Sequence, residues 1–218
     1  MCGRFTLTAT DSQLAEEFGI EIPGEVSPRY NIAPSQPIFA IRQDESDRRM
    51  LDVMQWGLIP SWVKTLASWK GNLINARVET VKEKPSFRSA FRYRPCLVPT
   101  SGFYEWTRNK QPHFYRVADR PLFALAGIWE AWTKEDSELV SCTILTTAAN
   151  SDAAKIHHRM PIVVRPEDYG NWLGKLEQRE QLLNNLPDPK IEIYPVSKLV
   201  NSPKNDTPEC IKAISLSE

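Results

Sequence analysis

Short apolar runs separated by turn residues fill the middle of this chain, and they constrain its fold more than any other feature. The runs occupy residues 96–98, 102–106, 113–117, 122–129 and 139–147. Runs of this length with turn residues between them are typical of antiparallel strands. They predict a mostly antiparallel, strongly curved sheet system that resembles a barrel. The chain has 218 residues, which fits one large domain or two small ones.

Local signals add shorter elements around this core. Residues 10–13 form a capping-box pattern ahead of Leu14 and Phe18, so a short helix is predicted there, with Gly19 able to end it. Other patterns predict a β-hairpin within residues 37–56, a short helix at 86–91, helical structure at 166–186 with a break near Gly174, and a strand at 190–196. Residues 201–218 are rich in Asn, Ser and Pro, and we expect them to fray. The folded domain is therefore placed at residues 1–200.

Net charge does not attract the whole chain to nucleic acid, because 27 basic and 27 acidic side chains cancel. Residues 77–94 differ, with six basic and two acidic side chains interleaved with aromatic ones. Such a run is either an ordinary solvated face or a surface for single-stranded nucleic acid, where cations follow phosphates and rings stack on bases. Trp56, Trp62 and Trp69 allow the same two interpretations, as core residues or as exposed stacking platforms.

The N-terminal pair Met1-Cys2 suggests a reactive terminus. Removal of Met1 would leave Cys2 with a free α-amine, of pKa roughly 7.7 to 8.0, beside a thiol of pKa about 8.5. An aldehyde can condense with the amine, and the sulfur can then close a five-membered thiazolidine ring. The same atoms could serve acyl transfer in an N-terminal-nucleophile hydrolase, and Cys2 could equally be a small apolar residue in a strand. The N-terminal segment by itself leaves all three open.

Glu105 and a pair of adjacent histidines are further candidates for acid–base chemistry. Glu105 lies between Tyr104 and Trp106. If it points inward, the pKa of its carboxyl rises toward the range of a general acid at neutral pH, whereas strand alternation could equally place it in water. His157 and His158 are adjacent, so at most one of them enters a given pocket.

Cysteine spacing and hydropathy exclude several classes of protein. The cysteines, at positions 2, 96, 142 and 210, are too widely spaced for a disulfide framework or a zinc module, so we expect no metal and no cofactor. No apolar run approaches the roughly 20 residues that span a bilayer, and the N-terminus lacks the pattern of a signal peptide. We therefore expect a cytoplasmic protein with no membrane partner.

Six blocks of the chain together resemble the SOS response-associated peptidase family, also called abasic-site processing proteins. In order they are MCGR at 1–4, RYNIAP at 29–34, WGLIPSW at 56–62, NARVET at 75–80, GFYEW at 102–106 and IHHRMP at 156–161. Each block alone is weak, but six in sequence are specific. The resemblance implies a single α+β domain with a curved, mostly antiparallel, barrel-like β core, peripheral short helices, and a positively charged groove for single-stranded DNA.

The resemblance also implies an activity. It implies that Met1 is removed and that Cys2 then forms a covalent bond with the ring-opened sugar of an abasic site. Asn75 would hydrogen-bond the sugar, Glu105 would move protons at the amine and the departing water, and His157 would assist opening of the closed sugar. Contacts with DNA are assigned by the same resemblance to Arg4, Asn31, Trp62, Arg77 and Arg159. The expected partner is single-stranded DNA that contains abasic sites, bound by a monomer that joins the nucleoid when engaged.

Two other functions remain possible on sequence grounds. An N-terminal cysteine hydrolase such as a glutamine amidotransferase can also begin Met-Cys-Gly, although this chain lacks the Asn-Gly pair that such enzymes commonly use. A plain single-stranded nucleic-acid binder would use residues 77–94 and the tryptophans without chemistry, and its binding would be fully reversed by salt. The peptidase in the family's description is most simply explained by self-removal of Met1, although the small second residue equally permits removal by a methionine aminopeptidase.

Overall fold

The structure is a computed structural model that describes residues 2–22, 24–134, 137–186 and 188–215. Within these ranges the strands are β1 Phe5–Leu7, β2 Arg29–Ile32, β3 Pro37–Gln43, β4 Arg49–Trp56, β5 Asn75–Arg77, β6 Pro95–Thr100, β7 Gly102–Trp106, β8 Pro112–Val117, β9 Phe123–Lys134, β10 Ser137–Ala148, β11 Arg159–Pro161, β12 Val163–Val164 and β13 Ile191–Pro195. The α-helices are α1 Asp11–Phe18, α2 Arg88–Tyr93, α3 Tyr169–Leu173 and α4 Leu176–Asn184.

Five strands close into a barrel. β3 pairs antiparallel with β4 and β6, β6 with β9, and β9 with β10. A parallel pairing of β10 with β4 completes the ring. Closure removes sheet edges, and the inward side chains form the main core. The predicted single α+β domain with a curved, mostly antiparallel, barrel-like core is confirmed.

A second sheet of five strands carries the N-terminal segment. Its order is β13-β8-β7-β1-β2, so β1 lies between β7 and β2. Phe5 pairs with Ile32 on one side and with Phe103 on the other. The first residues of the chain are therefore held from both sides. β5 pairs in parallel with the far half of β10, which brings Asn75 to the rim of the barrel that faces this sheet.

The short helices follow their predicted signals closely. α1 begins with the capping box of Thr10 and Gln13, and it ends at Gly19, whose φ of 62° suits a residue without a Cβ atom. Leu14 and Phe18 are buried, as the pattern predicted. The region 166–186 contains α3 and α4, with the break at Gly174. No helix in the described part of the chain combines the length and apolar character needed to cross a membrane.

The cysteines are buried thiols. All four lie within the described residues, and each is free. Cys96 and Cys142 belong to the barrel core, and burial raises the pKa of both, that of Cys142 to about 12. These two thiols act as small apolar core residues.

The expectation that residues 201–218 fray is wrong for residues 201–215, and residues 216–218 lie outside the described ranges. Ala213 forms a β-bridge with Val196, and Cys210 packs with Val200 against the aromatic face of β7 and β8. The Asp206 carboxylate accepts hydrogen bonds from the backbone N–H groups of β2. Polar composition misled the prediction because a few apolar side chains and one carboxylate suffice to dock this segment.

Candidate active site

Cys2 lies where the two sheets meet. Its side chain is fully buried just before β1. Its backbone carbonyl accepts a hydrogen bond from Asn75 Nδ2 at 2.7 Å, and its thiol donates a weak one to the carbonyl of Arg4 at 3.9 Å. The preceding Met1 lies outside the described residues, so its removal stays a prediction. The geometry nevertheless excludes a freely mobile N-terminal segment, because β1 and Asn75 both restrain it.

Burial dominates the electrostatics of the thiol. Burial, and secondarily the Glu105 carboxylate, raise the pKa of the Cys2 thiol well above its usual range. The sulfur is therefore protonated in the resting protein at neutral pH. A reaction at sulfur needs a nearby base to take its proton.

Glu105 points inward, which decides between the two interpretations that strand alternation left open. It lies on β7 directly opposite His113 of β8, and only 3% of its surface is exposed. Burial raises the pKa of its carboxyl to about 7. Both protonation states are then populated at neutral pH, as a group that must give and take protons requires.

Asn75 offers a second polar atom to the same region. Ala76 faces the core, so Asn75 and Arg77 lie on the opposite side of β5 from it. The Asn75 Nδ2 atom is engaged with the Cys2 carbonyl, whereas its Oδ1 atom is buried and accepts no hydrogen bond from any described residue. A buried acceptor of this kind is rare in folded proteins and fits a ligand that brings a donor. Arg77, two residues on, is exposed.

His157 is the more enclosed of the two adjacent histidines. Its Nδ1 atom accepts a hydrogen bond from the backbone N–H of Arg159 at 3.1 Å, and burial lowers its pKa, so the ring is neutral at pH 7. His158 is exposed and stacks on it, with ring centroids 4.4 Å apart. The two adjacent rings therefore differ in exposure, and the prediction that at most one of them enters a given pocket stays a prediction.

Three of the five residues expected to contact DNA are engaged inside the protein. Asn31 is fully buried, and its Nδ2 atom donates to the carbonyls of Val200, Ser202 and Asn205. Its Oδ1 atom accepts from the Arg4 guanidinium at 2.6 Å. Such an amide presents no free polar atom to DNA, so the structure supports a structural role for Asn31 instead.

Arg159 is engaged in the same way. It is 8% exposed and binds the Glu79 carboxylate with both terminal nitrogens, at 2.5 and 2.9 Å. One of these nitrogens also donates to the Thr146 carbonyl at 2.6 Å. This ion pair holds the end of β11 against β10 and the segment after β5. Its geometry supports a positioning role.

Trp62 and Arg77 are the two predicted DNA contacts that face solvent. Trp62 is 58% exposed on the loop after β4, and it is braced edge-to-face by Trp69, with ring centroids 5.9 Å apart. Trp56, in contrast, is fully buried in the barrel and donates to the Ile74 carbonyl. Trp56 is therefore a core residue, whereas Trp62 is exposed as a stacking platform would be.

The basic run at 77–94 is not one continuous surface. Lys82 forms an ion pair with Glu180, and Arg94 forms one with Glu130. Arg88 and Arg92 are exposed on α2, which packs on β6 and β9, whereas Arg77 lies on β5 beside Asn75.

Sequence reasoning missed two residues on the inner face of the second sheet. His113 lies directly across from Glu105, and Tyr115 lies across from Phe103 on the same face. Both are buried. Sequence reasoning missed them because they become neighbours of Glu105 and Phe103 only through the pairing of β7 with β8. Within the described ranges, no group of three or more His, Cys, Asp or Glu side chains is arranged to hold a metal ion.

The comparisons with known proteins agree with one another. The sequence model of the family described as SOS response associated peptidase (SRAP) matches residues 1–203. Abasic site processing protein YoqW of Bacillus subtilis strain 168 is 42% identical over 226 residues, covering 98% of this chain and 100% of that protein. Abasic site processing protein HMCES of Pongo abelii is 31% identical over 238 residues, covering 89% and 67%.

A solved structure extends this similarity to three dimensions. The crystal structure of a protein from Bacteroides thetaiotaomicron superposes with a TM-score of 0.87 at 26% identity, covering 98% of this chain and 100% of that one. The matches span nearly the whole chain, and they confirm the resemblance that the six sequence blocks carry. The chain therefore belongs to the SOS response associated peptidase family.

Proposed function

We propose that this protein processes abasic sites in single-stranded DNA by forming a covalent thiazolidine between Cys2 and the ring-opened abasic sugar, which shields the lesion. The observation that carries the proposal is the enclosure of Cys2. Asn75 holds its carbonyl at 2.7 Å, and Glu105, with a pKa of about 7, is close enough to perturb its thiol. Relatives at 31–42% identity that are named abasic site processing proteins support the substrate class.

The proposed reaction begins at nitrogen. Once Met1 is removed, the neutral α-amine of Cys2 attacks C1 of the open-chain aldehyde. A C–N bond forms, and the carbonyl oxygen takes up a proton to give a carbinolamine. Glu105 in its acid form protonates that hydroxyl, which leaves as water while the nitrogen loses a proton, and an imine results.

The sulfur acts second. The S–H bond of Cys2 adds across the C=N bond, so that sulfur bonds to carbon and nitrogen gains the proton, carried by Glu105. The net change is aldehyde plus aminothiol giving thiazolidine plus one water. This order suits the raised pKa of the buried thiol, because the protonated sulfur is a weak nucleophile until Glu105 accepts its proton. Run backward, the same steps release the DNA.

The other predicted catalytic residues have distinct roles. The Asn75 Oδ1 atom accepts a hydrogen bond from a sugar hydroxyl, for which it is suitably unengaged among the described residues. His157, neutral at pH 7, accepts the proton of the closed sugar's anomeric hydroxyl as the ring opens. These roles rest on the geometry of each side chain and on the family resemblance.

Binding of a single strand is assigned to two exposed side chains. Trp62 offers a ring face to an unstacked base next to the lesion, and Arg77 pairs with a flanking phosphate. A loop that presents a tryptophan in this way occupies the place of a complementary strand. The protein therefore prefers single-stranded to double-stranded DNA.

The test is a mixture of the purified protein with single-stranded DNA that bears one abasic site. Mass spectrometry first checks that Met1 is absent. We expect a complex that survives heat, detergent and high salt, together with a mass increase equal to the DNA strand minus water. The same strand without the lesion should bind only in a salt-reversible way. A protein that lacks Met1 and still gives only salt-reversible complexes with the abasic strand would contradict the proposal and favour a plain single-strand binder.

A further inference from the structure

A cavity of about 400 Å³ opens beside the proposed reaction centre, on the face of the second sheet that carries Glu105. Its floor is formed by alternate residues of β13, which are Ile191, Ile193 and Pro195. Its walls are His113 of β8 and the turn at 152–156. Small-molecule sites typically enclose roughly 300–1,000 Å³, so the cavity is large enough for a nucleobase.

The cavity adjoins the elements that carry two of the proposed catalytic residues. His113 lies directly opposite Glu105 in the pairing of β8 with β7, and opposite residues of an antiparallel pair share one face of the sheet. Ile156, on the far wall, immediately precedes His157 in the chain. A DNA strand whose abasic sugar reaches Glu105 and His157 therefore brings a neighbouring nucleotide to the mouth of this cavity.

His113 offers an unused acceptor to the cavity. Its ring is only 9% exposed, and its Nδ1 atom lies 3.3 Å from the Gln111 carbonyl. That oxygen can only accept, so Nδ1 carries the proton and donates there, which leaves Nε2 of the neutral ring as an acceptor. Nε2 has no hydrogen-bond partner among the described residues. Polar groups of buried side chains are nearly always paired, so an unengaged nitrogen in a cavity wall indicates a ligand that brings a donor.

The turn that forms the far wall is held in place without a ligand. The Asn150 side chain accepts from the backbone N–H of Ala153 at 3.0 Å and donates to the Asp188 carboxylate at 2.7 Å. Ala153 itself is buried. The cavity is therefore preformed, and a ligand that enters it loses little affinity to the ordering of the protein.

The chemistry of the cavity suits a base better than a phosphate. Lys155 at the rim already pairs with Asp152 at 2.8 Å, and the Asp152 carboxylate repels a second anion. The apolar floor can bury a flat ring. The acceptors His113 Nε2 and Asp152 match N–H donors, which all four DNA bases carry. The cavity therefore accepts a base without selecting strongly among the four.

We propose that this cavity binds the base of the nucleotide next to the abasic sugar, which leaves the stack, rests on Ile193 and donates an N–H group to His113 Nε2. The inference rests on the proposed function, which defines where the strand runs. Unstacking costs least beside a damaged position, because one stacking partner is already missing there. With its neighbour held in the cavity, the sugar is fixed in front of Cys2.

The test measures binding by protein that lacks Met1 to strands in which a tetrahydrofuran analogue replaces the abasic sugar. This analogue cannot open to an aldehyde, so no cross-link forms. A second tetrahydrofuran then replaces the nucleotide on the 5′ side, the nucleotide on the 3′ side, or a remote nucleotide. Removal of the one base that fills the cavity should weaken binding by roughly tenfold, as burial of about 60 Å² of ring surface predicts. Remote removal should leave affinity unchanged.

Two variants connect this loss to the cavity. Ile193→Trp fills the cavity, so removal of the neighbouring base should no longer weaken binding. His113→Leu keeps an apolar side chain of similar size but lacks the acceptor, and the loss on removal of the base should fall to about twofold. A merely structural defect would weaken binding of every strand equally. Arg116→Gln, on the opposite face of β8, is the control and should retain the full tenfold loss.

A measurement on the wild-type side chains does not depend on either cavity variant. The chain has three histidines, so ¹⁵N-histidine labelling gives three imidazoles, and substitution of His157 and His158 identifies the third as His113. The strand that keeps the neighbouring base should shift the His113 Nε2 resonance, and the strand without that base should not. Equal wild-type affinity for all strands, or an unshifted resonance, overturns the inference. A true abasic strand that fails to cross-link while the neighbouring base still matters would instead overturn only the proposed function.

Discussion

The side-chain amide of Asn75 donates a 2.7 Å hydrogen bond to the backbone carbonyl of Cys2. This bond joins the rim of the barrel to the N-terminal segment of the second sheet, two parts of the chain that are 73 residues apart. It restrains the Cys2 backbone at the place where the two sheets meet. Cys2 is therefore positioned by tertiary structure on both sides, by β1 pairing and by one amide.

Asn75→Asp tests that restraint, because aspartate has nearly the same shape but cannot donate to the Cys2 carbonyl when it is ionised. We expect cross-linking to slow by about fivefold, since one positioning hydrogen bond contributes on the order of 1 kcal/mol. Rates are measured on denaturing gels with single-stranded abasic DNA. Asn201→Asp, which alters a side chain that accepts from Trp106 near the surface, is the control. Equal rates for Asn75→Asp and the wild type would exclude the restraint from the mechanism.

Cys2→Ser separates the nitrogen step from the sulfur step. The variant keeps the α-amine after removal of Met1, so it should form an imine that borohydride traps. Without reduction, we expect almost no complex to survive heat, because oxygen does not close an equally stable ring. Cys2→Ala should behave in the same way. A heat-stable adduct of Cys2→Ser without borohydride would show that sulfur is not part of the product.

Glu105→Gln should slow formation and reversal of the cross-link together. A single acid–base group serves both directions, and removing such a group typically reduces rates by about 10²- to 10⁴-fold. Reversal is followed by adding excess unlabelled abasic strand to a preformed complex. A variant in which only one direction slows would assign the other direction to a different group.

The same substitution should stabilise the fold at alkaline pH. Burial raises the pKa of Glu105 to about 7 from its ordinary value of 4.5, so the stability linked to this group is complete below about 4.5 and is lost as pH rises through 7. Gln cannot ionise and avoids that loss. At pH 8 we expect Glu105→Gln to be more stable by about 2 to 3 kcal/mol, with little difference near pH 4.

Urea unfolding at the two pH values measures this difference. Glu130→Gln is a matched control, because Glu130 is also buried but pairs with Arg94 at 2.6 Å, and loss of its charge should destabilise the protein at pH 8. The two substitutions should therefore have opposite signs. If Glu105→Gln is less stable than the wild type at pH 8, burial does not disfavour the ionised form of Glu105 and the prediction is wrong.

Asn31→Ala distinguishes a structural role from a contact with DNA. The substitution leaves three backbone carbonyls and the Arg4 guanidinium without the partner they have now, so we expect a loss of about 2 to 3 kcal/mol in the free energy of unfolding. Arg77→Gln, at an exposed site, should change stability little but reduce the salt dependence of binding to single-stranded DNA by about one ion. If Asn31→Ala instead left stability unchanged and reduced the salt dependence of binding, Asn31 would be a DNA contact.

Trp62→Ala should weaken binding to single-stranded DNA without harming the fold. A stacked base contributes about 1 to 3 kcal/mol, which is roughly 5- to 150-fold in affinity. Its exposure of 58% means that little core packing is lost. Leu66→Ala on the same loop removes exposed apolar surface without a ring face, and it should leave affinity unchanged. Fluorescence anisotropy with an intact strand compares them, and equal losses for both variants would argue against stacking.

Local patterns predicted the elements that depend on neighbouring residues. Three such features appear close to where the sequence placed them, because each depends on contacts within a few residues. They are the capping box at Thr10, the short helix predicted at 86–91 and observed as α2, and the helix break at Gly174. The docked segment after Val200 escaped prediction. Its partners lie on β2, β7 and β8, far away in the chain.

The amino-acid sequence by itself determined the fold class and the family, since these follow from strand periodicity and from six ordered motifs, and it indicated Cys2 and Glu105 as candidate site residues through their side-chain chemistry. Tertiary structure alone decided that Glu105 faces inward, that Asn31 and Arg159 are engaged inside the protein, and that His113 and Tyr115 share a sheet face with Glu105. The physical reason is that burial and strand register are properties of residues brought together across the chain. The pKa of about 7 for the Glu105 carboxyl arises only from that assembled environment.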